Sequence, residues 1–139
     1  MSTKPLPKPT EFELDLLRAL WARQSATVRE LHDDLNRTRP LGYTTVLKTL
    51  QIMTEKGLVQ RVEAGKAHIY TPTATQQQTQ HQLILDLSER LFAGSAAQLA
   101  MQALSMHAAS STELDEIRTL IEKSVTKSQS VTKSATKPS

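Results

Sequence analysis

The segment GYTTVLKTLQIMTEKGLVQRVEAGKAHIYTP, residues 42–72, limits the possible folds more than any other part of this 139-residue chain. Val46, Leu50 and Met53 recur at helical spacing, and Gly57 stands where a helix needs a left-handed closing residue. The period then changes. Leu58 to Glu63 and Ala67 to Tyr70 are rich in β-forming residues, with Ala64-Gly65-Lys66 as a turn between them. Pro40 and Gly42 break the chain in front, and Pro72 ends the hairpin. A helix of about 43–56 that runs straight into two short strands leaves few architectures open.

The preceding residues narrow the choice. Thr10 and Glu13 form a capping box that opens a helix of about 10–23, with Leu14, Leu17 and Trp21 on one face. A second capping box, Thr27 with Glu30, opens a short helix to about 37 that carries Val28, Leu31 and Leu35. Residues 1–9 hold three prolines and no periodicity, and read as a flexible arm. Three helices followed by a hairpin is the order of a winged helix-turn-helix over residues 10–73. The fold class is mainly α with a small β-hairpin.

This order gives the third helix a use. Its inner face is apolar, so Thr44, Lys48 and Gln51 point outward, with Thr45 and Thr49 on the flank. A helix anchored on one face and polar on the other can enter the DNA major groove. Arg61 and Lys66 in the hairpin would meet the flanking phosphates, and His68 could join them. Double-stranded DNA is therefore the expected partner. The alternative is a winged-helix module that binds protein and has no sequence-specific affinity for DNA.

The C-terminal half reads as a helical dimerisation domain over residues 74–123. Residues 75–80 are a glutamine-rich connector or the polar first turn of a helix. Ile84, Leu87 and Leu91 form the next stripe, with Phe92 beside it and Gly94 closing the helix. Ser95 and Gln98 cap a shorter helix with Leu99, Met101 and Leu104. A last helix of about 111–123 carries Leu114, Ile117 and Ile121. Helices this short enclose little core alone, so a second copy of the chain is expected to cover the stripes. Residues 124–139, with SVTKS twice, read as a disordered basic Ser/Thr/Lys tail.

Charge and composition agree. The net charge is +3, and it sits in residues 1–73, which hold eleven basic and eight acidic side chains. This permits an anionic partner there. With no cysteine, disulfides, thiolate metal sites and cysteine nucleophiles are excluded. His32, His68, His81 and His107 show no metal-ligand spacing, and the four glycines build no phosphate loop. Nothing suggests a catalytic triad, so no enzyme, metal or cofactor is expected. No apolar run is long enough for a membrane helix and none resembles a signal peptide, so the expected location is cytoplasmic.

The stretches YTTVLKTLQIMTEKGLV and GKAHIYTP, with LPKPTEFELDLLRALW before and SSTELDEIRTLIEK after, resemble the penicillinase-repressor family, the BlaI/MecI/CopY type of bacterial transcriptional repressor. The likeness covers about residues 7–123. It implies a homodimer whose winged helices bind a palindromic operator and whose C-terminal helices intertwine. It also implies DNA contacts by Thr44, Thr45 and Lys48 on the recognition helix and by Arg61 and Lys66 on the wing; Tyr43 at the start of that helix and Thr49 on its flank are expected to join them. Regulated genes in such a family serve antibiotic resistance or metal handling. Three departures stand out. Ile52 replaces an arginine common in the family. A sensor protease is an implied partner in part of the family, but Gln102-Ala103 stands where its Asn-Phe cleavage site would be. The cysteine pairs of the copper-responsive branch are missing.

Overall fold

The computed structural model describes residues 8–135, so the start of the expected flexible arm lies outside the described residues. Six helices and three strands follow in order: α1 (Glu11–Arg23), β1 (Ala26–Thr27), α2 (Val28–Asn36), α3 (Tyr43–Lys56), β2 (Val59–Ala64), β3 (Ala67–Pro72), α4 (Gln76–Phe92), α5 (Ala96–Met106) and α6 (Ser111–Ala135). The expected winged helix-turn-helix is present.

Local chemistry places the element ends. Thr10 with Glu13, Thr27 with Glu30, and Thr75 with Gln78 form complete capping boxes at α1, α2 and α4. The Thr75 box resolves the glutamine-rich stretch as the first turns of α4. At the other end of α3, Gly57 takes φ 86° and its N–H bonds back to Met53 and Thr54. That left-handed turn sends the chain from helix to strand without a connecting loop.

The sheet has a third strand that the sequence reading did not include. β1 is only two residues long, too short to show a period, yet it pairs antiparallel with β3 through Ala26–Tyr70 and Thr27–Ile69. The strand order is β1-β3-β2. The hairpin is thereby stitched to the α1–α2 turn at its base, and only its far end projects.

The core combines Leu16, Leu17 and Leu20 of α1, Val28 and Leu31 of α2, and Val46, Leu50 and Met53 of α3. Leu58, Val59 and Tyr70 close it from the hairpin side. The inward face of α3 is as expected. The inward face of α1 is not: Leu16, Leu17 and Leu20 are buried, while Leu14 and Trp21 are only half-buried. Trp21 turns its indole outward to donate to the Ala74 carbonyl at 2.9 Å. This bond fastens the segment that leads into α4, and a polar indole N–H buried in the core would lack such a partner.

Two ion pairs lock the helices. Arg23 at the end of α1 grips Asp34 of α2 with Nε at 2.6 Å and Nη2 at 2.9 Å, and reaches Glu30 at 3.2 Å. The Arg23 hydrogen bonds hold the Asp34 carboxyl below its ordinary value despite partial burial. Glu13, only 3% exposed, accepts from Thr10 N–H at 2.8 Å and from Lys56 Nζ at 2.9 and 3.0 Å. Burial alone would raise its carboxyl. The Thr10 amide and the Lys56 ammonium outweigh that and hold it below the usual carboxylate range.

The chain divides into compact units after Gly94, so α4 goes with the N-terminal unit and not, as expected, with the helices after it. Leu83 of α4 bounds a cavity of about 200 Å³ together with Leu17 and Leu58, and Asp86 of α4 reaches Lys8 at 3.5 Å. These contacts tie α4 back to the winged helix within one chain. The second unit contains α5 and α6. α6 starts with a Ser110–Glu113 capping box and continues to Ala135. The segment from Ser124 was expected to lack order. No proline or glycine interrupts it before Pro138, and extending a nucleated helix costs little per residue.

Candidate nucleic-acid interface

α3 is held from behind and open in front. Val46, Leu50 and Met53 are fully buried. Thr44, Thr45, Lys48, Gln51, Ile52 and Glu55 are exposed on the other side. Residues 44, 48, 51 and 55 share one outward row, and 45, 48 or 49, and 52 form the row beside it. Gly42 caps the helix without a side-chain hydrogen bond. Among the described residues, then, no N-cap side chain accepts from the first-turn amides of α3, which suits an anion.

The predicted contact residues are not equivalent. Thr44, Thr45 and Lys48 are exposed, and Lys48 makes no ion pair among the described residues. Thr49 is half-buried and its hydroxyl donates to the Thr45 carbonyl at 2.8 Å, so it retains only acceptor capacity. Tyr43 is 47% exposed but lies edge-on to the His32 ring, with centroids 5.9 Å apart. His32 Nε2 also lies 2.6 Å from the Leu41 carbonyl. A carbonyl only accepts, so Nε2 carries the proton in this contact. His32 thus clasps the turn that leads into α3. Sequence reasoning missed this role, because the contact joins residues nine apart through the tertiary turn.

Arg61 and Lys66 are exposed on the wing, Lys66 at its tip beside Gly65 with φ 66°. Arg61 pairs with Tyr70 across the hairpin, so it shares a sheet face with Val59 and Tyr70 where the strands run out beyond the core. His68, a possible further wing contact, lies 4.0 Å from Glu63 on the paired strand, so an acidic side chain stands beside it. Two residues not singled out from the sequence stand in the α2–α3 turn: Arg37 and Arg39 are exposed. Arg39 sits over the Phe12 ring at 5.4 Å and reaches Asp15 at 3.7 Å.

The expected dimerisation residues are mostly uncovered in the single chain. Ile84, Leu87, Leu91, Leu104, Leu114 and Ile121 are exposed, while Phe92, Leu99 and Ile117 are half-buried. Among the described residues, every buried hydrophobic side chain lies at or before Tyr70. α4 turns Thr79 and Ser88 inward instead of its leucine stripe. Gln102 and Ala103 lie inside α5. Among the described residues no three His, Cys, Asp or Glu gather as a metal cluster, and no helix is long and apolar enough to cross a membrane.

A buried-backed α3 with a polar outer face, beside a basic hairpin, defines a winged helix-turn-helix of the kind found in DNA-binding regulators. The family model described as penicillinase repressor matches residues 9–123, and the chain belongs to that family. It is 38% identical over 63 residues to the transcriptional regulator BlaI of Mycobacterium tuberculosis strain H37Rv, covering 45% of this chain and 46% of that protein. The match thus spans about half the length of that relative. The penicillinase repressor of Bacillus licheniformis is 20% identical over 119 residues, or 86% of this chain and 93% of its own. The solved hsRosR-SG complex covers 88% of this chain and 97% of its own, with a TM-score of 0.50 and 13% identity, a likeness of fold alone.

Proposed function

We propose that this protein is a transcriptional repressor that binds palindromic operator DNA as a homodimer. The observation that carries the reading is the outer face of α3. Thr44, Thr45, Lys48 and Gln51 project from a helix whose other side is fixed in the core. Side chains held on a rigid element can read base edges, because little freedom is lost on binding. Arg61 and Lys66 on the wing supply phosphate contacts beside it. The repressor and regulator names of its relatives support the same reading.

The homodimer rests on the uncovered stripes of α4, α5 and α6. A second copy would bury them and impose the two-fold symmetry that a palindromic site requires. The test is a titration of the purified protein on its own upstream DNA and on scrambled DNA at two salt concentrations. A repressor binds the native DNA selectively, and its affinity falls linearly in log K against log salt. Lys48→Ala weakens that binding and leaves the oligomer intact. Equal, weak binding to both DNAs by the native protein would defeat the proposal.

A further inference from the structure

Apart from Tyr43 at its start, which lies edge-on to His32, Ile52 is the one exposed apolar residue of α3. Its row holds Thr45, Lys48 and Thr49, and the outward row beside it holds Thr44, Lys48, Gln51 and Glu55. It is 40% exposed, whereas Val46, Leu50 and Met53 on the inner face are fully buried. Resting on the proposed DNA-binding role, we infer that Ile52 reads the 5-methyl group of a thymine in the major groove of each half-site. An isoleucine has no donor or acceptor. Over a guanine, cytosine or adenine edge it would strip water from polar groups and replace none of their hydrogen bonds. Thymine alone presents a methyl group there, so contact with it removes apolar surface of both partners from water.

The helix also sets the place of that thymine. Ile52 follows Thr45 by seven residues on the same row, about 10 Å along the axis at roughly 1.5 Å per residue. Bases on one strand are spaced by about 3.4 Å. The thymine therefore lies about three base pairs from the pair faced by Thr45. Lys48, between them on the helix, falls over the intervening steps.

The experiment uses the full-length protein. A binding site is first selected from random-sequence DNA, and each thymine in it is then replaced singly by uracil, which removes only the methyl group. One thymine per half-site is expected to show about a fourfold loss of affinity on this replacement, the worth of one methyl group taken from water. With Ile52→Ala that position becomes insensitive to the replacement, while thymines elsewhere keep their response. Ile52→Val retains part of the response, which guards against a fold defect in the alanine variant. The inference is overturned if wild-type and Ile52→Ala proteins respond alike to every uracil. If the selection yields no preferred sequence at all, the DNA-reading role itself fails, and the two failures are thereby distinct.

Discussion

The Glu13–Lys56 pair ties the start of α1 to the end of α3, so its loss should loosen the helix proposed to read DNA. Glu13 is almost wholly buried, and about a third of the Lys56 side chain is open to solvent. Removing one member of a buried pair costs about 3–5 kcal/mol, and the exposure of Lys56 reduces this. Lys56→Met should therefore destabilise the winged helix by about 2 kcal/mol at neutral pH. Glu13→Gln should cost less, about 1 kcal/mol, because glutamine still completes the capping box while the charge-assisted bonds are lost. The pH dependence separates the two effects. The native Glu13 carboxyl lies below its unfolded value of about 4.3, so its contribution is complete above that value. It is lost as the pH falls toward the native value. Urea unfolding followed by the fluorescence of Trp21, the sole tryptophan, at fixed protein concentration provides the assay. The gap between wild type and Glu13→Gln should shrink from pH 7 to pH 3.5. The Arg23–Asp34 pair is common to both proteins and cancels. A gap of constant size would show that the capping geometry, and not the ion pair, holds α1 to α3.

Gly57→Ala tests the helix-to-strand turn. An added Cβ meets nothing within 4 Å, so its cost of about 1 kcal/mol is the left-handed backbone alone, read from the same unfolding curves. A neutral result would mean that the turn relaxes. Leu91→Asp should split the dimer in analytical ultracentrifugation without unfolding the winged helix, since Leu91 is 66% exposed in one chain. An unchanged sedimentation coefficient would place the dimer contact elsewhere.

The parts legible in the sequence are those set by local chemistry. The capping boxes, the period of α3 and the Gly57 stop each depend on residues within one or two turns, so their spacing alone shows them. The parts that were not legible depend on contacts across the fold. β1 is strand only because β3 lies beside it. Leu14 and Leu16 both fit a helical stripe, and Trp21 decides between them by reaching Ala74. The His32 clasp and the Arg39–Phe12 contact likewise exist only once the turn is folded. The leucines of α4 to α6 show the converse: their spacing marks them as a face, and among the described residues most of that face is exposed.

That uncovered face bears on how DNA would be held. α3, the turn before it and the wing have few cations to offer DNA. Lys56 is committed to Glu13, Glu55 is an acidic group on the outer face of α3, and Glu63 stands beside His68. On α3 and the wing Lys48, Arg61 and Lys66 remain, and Arg37 stands exposed in the turn before α3. If each of these four neutralises one phosphate, the slope of log K against log salt is about −3.6 for one chain and twice that for two. Four phosphate contacts give a single chain little affinity at physiological salt. A second copy, joined through the helices after the wing, makes the second half-site contact intramolecular and raises the affinity without any new cation. Under the proposed function, dimerisation and DNA binding therefore support one another: a second copy that covers the apolar faces of α4 to α6 would also double the phosphate contacts.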